Sequence, residues 1–316
     1  MTEAPLPVEP ALRRRPRLGY AMAASAATLW AVNGTVSKVI LASGVSSLRL
    51  SQVRTTGAFA GLVLVLAAAA PARLRARARE LPHLALFGIA GLAFVQWLYF
   101  LSIHRMAIGI ALLIQYLAPL FIALWARFGL RQRVRRRIWL ALALALAGLA
   151  LIVDKPTASS TTVSTAGVVF AFGAALTYAL YILLAENEVG RRDAVSLLAW
   201  GFGFGAVFFA AIAPWWTFPG HAVGVDHSLL GHLARWHLPV WALMAWMIVP
   251  GTIVPFFLLV SALRHLPATR VAIIAMLEPV VATAVAWAWL GEALGVAQLA
   301  GAAVVLAAIV LAQTAR

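Results

Sequence analysis

The chain has 316 residues, 63% apolar and 11% charged, with no cysteine and a formal charge of +15. Soluble domains average about 45 to 50% apolar and about 25% charged, so this composition cannot clothe a water-facing surface. It also excludes a disulfide scaffold, a thiolate nucleophile and any cysteine-ligated metal centre. The charge comes from 23 arginines and 2 lysines spread through short segments between apolar runs, a pattern of membrane topology rather than of nucleic-acid binding.

A hydrocarbon core about 30 Å thick is crossed by about 20 helical residues. Residues 1–17 are polar and proline-rich with no apolar run of their own, and read as a cytosolic tail rather than a cleaved signal. Apolar runs then predict spans at 19–42, 48–70, 82–103, 106–126, 138–153, 166–186, 194–216, 239–262, 267–290 and 295–313. The fifth, IWLALALALAGLALIV, is short and must recruit a flanking charged residue that snorkels to the headgroups. Charge supports keeping it: with a cytoplasmic N-terminus, nineteen basic residues fall inside and only Arg49, Arg105, Lys155 and Arg235 outside. Dropping that span would place the later arginine-rich loops on the wrong side. The expected fold class is therefore all-α, a polytopic membrane protein of ten transmembrane helices with both termini cytoplasmic.

Segment 154–165, DKPTASSTTVST, is a polar external linker near mid-chain. Sliding the sequence on itself by 160 residues superposes Ile114 on Ile274, Leu117 on Leu277, Pro119 on Pro279 and Ala126 on Ala286. The same shift sets Arg131 and Gln132 on Gly291 and Glu292, and Ala141 on Gly301. The second and seventh spans each carry a GxxxG pair, Gly57 with Gly61 and Gly201 with Gly205, which lets helix backbones approach closely in lipid. Two halves follow, 18–153 and 166–313, each of five helices. An odd count inserts the second half upside down relative to the first, an inverted repeat with a site at the midplane between halves.

The segments TLWAVNGTVSK (28–38), YFLSIHRMAIGIALLIQYLAPLF (99–121) and AMLEPVVATAVAWAWLGEALGVAQLAG (275–301) resemble the EamA-type repeats of the drug/metabolite transporter superfamily, over about 18–313. The resemblance implies a ten-helix carrier with a central cavity, commonly an exporter of amino acids or related small metabolites, in a bacterial inner membrane. The Gly-Glu of the second repeat is replaced in the first by Arg131 and Gln132, so no symmetric role is expected for that acid.

Glu278 lies near the middle of the ninth span, where an acid costs about 2.5 to 3.5 kcal/mol on insertion scales. Either it faces a cavity and binds a substrate ammonium or a proton, or it is a structural charge neutralised by Lys38 or Arg54. Pro119 and Pro279 each remove a backbone donor and kink their helix, and are candidate hinges. Trp30, Asn33, Gln96, Tyr99, Gln115, Tyr116, Tyr178 and Tyr181 are polar side chains within apolar spans. They are candidate substrate-binding residues with Glu278, interhelical bonding being the alternative for each. Trp125, Trp215, Trp216, Trp241 and Trp289 sit near span ends and read as an interfacial belt. The longest external loop, about 217–238, holds His221, Asp226, His227, His232 and His237 at spacings that match no compact zinc motif. Gly201, Gly203 and Gly205 make no nucleotide fingerprint, because no strand precedes them.

These features predict a secondary transporter working by alternating access, with helices 3, 4, 8 and 9 rocking against 1, 2, 6 and 7, and helices 5 and 10 peripheral. No phosphate-binding loop is present, so the energy must come from a gradient. No metal, cofactor or enzymatic role is implied. The implied partners are a small-molecule solute and the lipid bilayer, with no nucleic acid and a homodimer left open. A non-transporting membrane scaffold and an intramembrane enzyme are the alternatives.

Overall fold

The computed structural model describes residues 15–103, 105, 108–152, 164–291 and 295–314. Residues 1–14 of the N-terminal tail, nearly all of the 154–165 linker, and Glu292 therefore lie outside the described residues. The helices are α1 (Pro16–Ala42), α2 (Ser47–Ala69), α3 (Leu81–Ser102), α4 (108–129), α5 (Arg136–Ile152), α6 (Thr165–Glu188), α7 (Ala194–Ile212), α8 (Val240–Ala262), α9 (Ala268–Leu290) and α10 (Val296–Thr314). Eight of them are long and apolar enough to cross a bilayer; α5, at 17 residues, is shorter, and α1, at 27, is diluted by polar residues. The apolar runs set these lengths, and local chemistry sets the ends. The Ser46 side chain accepts from the Arg49 N–H to start α2, and Asp193 accepts from the Ser196 N–H at 3.0 Å to start α7.

Four helices are interrupted. In α4, helical geometry ends at Gln115 and resumes at Ala118; in α9 it ends at Ala275 and resumes at Leu277. Pro119 and Pro279 lack an N–H, and their rings crowd the carbonyls of Gln115 and Ala275 four residues back, which accounts for both breaks. Wider π-helical turns close the same helices, at Trp125–Gly129 and Ala286–Leu290. Two more lie inside α3, at Phe87–Ala93, and α8, at Val249–Ile253, the latter holding Pro250.

The packing crosses between the halves. Helix α1 lies against α8 and α9, and α6 against α3 and α4, while α2 packs on α7, α4 on α9 and α5 on α10. Exchanging the two halves returns the same set of neighbours. The GxxxG pairs follow this rule: Gly57 and Gly61 face Ile248 and Ile253 of α8, whereas Gly201 and Gly205 face Gly88 and its neighbours on α3. The α5–α10 contact is closest at Gly148 and Gly301, where a methyl group on either would sit 2.7 or 2.5 Å from the other's carbonyl oxygen.

Contacts group most of the arginines at one end of the bundle. There the Arg15 N–H reaches the His265 ring, Arg270 bonds the Tyr20 hydroxyl, Arg137 the Thr314 carbonyl, and Arg192 both Glu80 and the Arg75 carbonyl. At the opposite end Arg49 donates to the carbonyls of Ala213 and Pro214. The 217–238 loop is not wholly irregular. It forms a short antiparallel pair, β1 (Asp226–Ser228) with β2 (His237–Pro239), with His227 opposite Leu238. This is a small departure from an all-helical chain, made possible by the prolines and glycines that end helical structure there.

Candidate functional site

Glu278 stands in the first turn of the resumed segment of α9, just beyond the Met276 break. A carboxylate suits that end of a helix, where backbone N–H groups lack helical partners. Tyr116 occupies the matching break of α4, with its hydroxyl near the Glu278 carboxylate. Tyr99 of α3, Tyr178 of α6 and Arg54 of α2 lie within electrostatic range of the same carboxylate. The group thus draws on α2, α3, α4, α6 and α9, and so on both halves.

Arg54 and Glu278 interact electrostatically but form no ion pair: among the described residues, the ion pairs are Glu188 with Arg191 and Glu80 with Arg192, both at the arginine-rich end. The Arg54 Nε is buried and finds no hydrogen-bond partner in the protein. The same holds for Asn33 Oδ1, Thr55 and Thr56 Oγ1, Gln96 Oε1 and Gln115 Oε1. Buried polar atoms are nearly always satisfied, so these atoms are exceptions within their apolar helices. Glu278, Tyr99 and Tyr178 are half-buried rather than sealed.

The remaining candidates fall into three groups. Trp30 and Tyr181 belong to an aromatic cluster: Trp30 meets Phe256 edge-on at 5.0 Å, and Tyr181 stacks on Phe87 at 5.5 Å and on Tyr178 at 6.2 Å. Tyr178 therefore joins this cluster to the charged group. Asn33 packs its amide against Gly251 in the π turn of α8, and Gln96 donates weakly to the Leu92 carbonyl at 3.4 Å. Lys38 is exposed, so of the two cations considered for Glu278 it is Arg54 that the fold brings near. Pro119 is buried and Pro279 half-buried, each in the first turn after its break.

Phe87, Phe202 and Phe256 were not singled out by the sequence, because a phenylalanine in an apolar span carries no contrast with its neighbours. Thr55 and Thr56 could have been found as adjacent hydroxyls beside Arg54. The tryptophan belt needs one correction. Trp216 and Trp241 are well exposed, but the Trp289 indole donates to the Leu229 carbonyl at 2.8 Å, and Gly231 rests against the Trp289 backbone. His232 reaches the Ala288 carbonyl at 3.2 Å, so the hairpin loop is clasped to the end of α9.

The model of the EamA-like transporter family matches this chain twice, at residues 17–154 and 165–314. An inner membrane transporter of Salmonella typhimurium (strain LT2), named YicL and described as uncharacterized, is 24% identical over 210 residues, covering 65% of this chain and 68% of that one. An uncharacterized transporter of Archaeoglobus fulgidus is 29% identical over 233 residues, covering 73% and 77%. A crystal structure superposes with a TM-score of 0.75 at 17% identity, over 93% of this chain and 96% of the other, a likeness of fold alone.

Proposed function

The chain belongs to the EamA-like transporter family, a multi-pass membrane protein, and from that premise we propose that it is a secondary transporter carrying a small organic solute by alternating access. The reading takes α1 and α5 as crossing with the other eight helices, giving ten spans in two inverted repeats, 18–153 and 166–313. The doubled family match and a packing pattern unchanged by exchange of halves support it. An odd number of spans per half then sets the repeats in opposite senses, so that one arrangement opens to one face and its counterpart to the other. The arginine-rich end faces the cytoplasm of a bacterial inner membrane, in accord with the positive-inside bias.

The observation that carries the proposal is Arg54 within electrostatic range of Glu278, two opposite charges on apolar helices of different halves that form no ion pair. Burying such charges is costly unless they are paired. A guest with an ammonium for Glu278 and a carboxylate for Arg54 meets both needs, with the tyrosines around them, which fits export of amino acids or related metabolites. A single deep carboxylate supports binding better than acid–base turnover, which ordinarily uses convergent groups. The close packing of α1 on α8 and α9, and of α6 on α3 and α4, favours these two sets as the rocking units. That division differs from one that keeps α3, α4, α8 and α9 together.

Reconstitution in liposomes, with radiolabelled amino acids and their decarboxylated amines and with or without a pH gradient, tests the reading. Saturable flux of a zwitterionic solute above that of empty liposomes is expected. Flux indistinguishable from empty liposomes for every such solute refutes it.

A further inference from the structure

At the arginine-rich end a pocket of about 580 Å³ opens between the starts of α1 and α9 and the end of α10, lined by Arg15, Pro16, Arg17, Tyr20, Arg270 and Gln313. Arg15 and Arg17 are exposed cations, while Arg270 is steadied by its 3.2 Å bond to the Tyr20 hydroxyl. No carboxylate is among the described residues that line it. The other basic cleft at this end, about 430 Å³, differs in kind: its arginines alternate with Glu80, Glu188 and Asp193, and two of them are engaged in ion pairs. Charge is neutralised there within the lining itself, whereas the α1–α9–α10 pocket presents the exposed Arg15 and Arg17 at its mouth.

What lies below the pocket distinguishes a lipid from a dissolved anion. On α1 the exposed positions Leu18, Ala21, Ser25 and Thr28 form one stripe that starts beside Arg17. On α10 the exposed positions Leu299, Ala303, Leu306, Val310 and Gln313 form another, ending in the pocket. Both stripes have helical spacing and carry no charge. The α10 stripe is apolar up to Gln313, and the α1 stripe is built of one leucine and small side chains, whose two hydroxyls are short enough to bond their own helix, as Thr28 does to the Ala24 carbonyl at 3.0 Å. Helix α9 packs against both α1 and α10 and so floors the groove between them. From Leu18 to Thr28 the α1 stripe runs about 15 Å, half the thickness of a hydrocarbon core of about 30 Å.

We propose that this pocket binds the phosphate of an anionic phospholipid, with the acyl chains lying along the groove between α1 and α10. The guanidinium groups supply charge-assisted hydrogen bonds to the phosphate, Arg being suited to that geometry. The lipid rests on α9, the helix that carries Glu278, and the site does not depend on which solute the protein carries.

The test uses the full-length protein, delipidated in detergent and titrated with phosphatidylglycerol or with phosphatidylcholine of the same chains, with bound lipid read by native mass spectrometry. The wild type is expected to prefer phosphatidylglycerol, and Arg15→Gln/Arg17→Gln to bind it about tenfold more weakly. The Arg15→Lys/Arg17→Lys pair keeps the charge and is expected to retain most of the preference. Both positions are exposed at a helix start, and thermal unfolding of each variant checks that the fold is intact. An unchanged preference in the glutamine pair, in folded protein, overturns the proposal. Displacement of the lipid by millimolar inorganic phosphate, with no preference between the two lipids, also overturns it in favour of a soluble anion site.

Discussion

Arg131 and Gly291, 160 residues apart, both hold a left-handed backbone, with φ of 55° and 74°, just after the π turns that end α4 and α9. The position demands the same local geometry in each half, and glycine meets it without a steric cost, whereas arginine does not. Arg131→Gly is expected to stabilise the protein by about 1 kcal/mol, and Gly291→Ala to destabilise it by a similar amount. Thermal unfolding in detergent checks both, and a lower melting temperature for Arg131→Gly would contradict the account.

Replacing Glu278 by Gln keeps shape and removes charge. Transport efficiency for an amine-bearing solute should fall at least tenfold, since charged hydrogen bonds contribute about 1.5 to 3 kcal/mol. Tyr116→Phe, which removes only the hydroxyl near Glu278, should produce a smaller loss. Initial rates in liposomes measure both, and equal activity of wild type and Glu278→Gln would assign the acid a structural place.

Arg54 offers a separate readout. Arg54→Gln should lower flux of a zwitterionic solute by about tenfold or more while sparing its decarboxylated amine, because only the carboxylate loses its partner. Should both solutes lose transport in equal measure, in folded protein, Arg54 holds the helices together instead.

Outside the membrane, the Glu80 carboxyl is held below its ordinary value of 4.5, first by the Arg77 backbone N–H at 3.1 Å and further by Arg192, against the opposing effect of burial. A depressed acid contributes stability above its unfolded value, and that contribution is lost as pH falls through its folded one. The 71–80 segment should therefore lose protection below about pH 4.5, read as exchange relative to the intrinsic rate at each pH, and Glu80→Gln should abolish that loss. The exposed setting keeps the effect modest. Hydrogen exchange with mass detection resolves it, and the same acid dependence in the variant would point to another group.

Helix positions were readable from the chain because lipid imposes a coarse rule of about 20 apolar residues. The 160-residue shift placed the breaks of α4 and α9 in register, since a proline acts on its own helix. The π turns of α3 and α8 were not readable. They form where Gly88 meets the backbone of α7 and where Gly251 meets Asn33, contacts between segments far apart in sequence. Within the site, polarity against an apolar background exposed Glu278, Arg54 and the tyrosines. It gave no sign that Tyr181 and Trp30 sit among Phe87 and Phe256, nor that Trp289 holds a loop instead of facing headgroups.

Because α1 lies against α8 and α9, and α6 against α3 and α4, helix α1 must wait for segments that lie about 200 residues further along the chain before most of its neighbours exist. Assembly of the bundle in the membrane thus cannot be completed before α9 has been made. Until then each half presents the other, or a second nascent chain, with an unfilled seat.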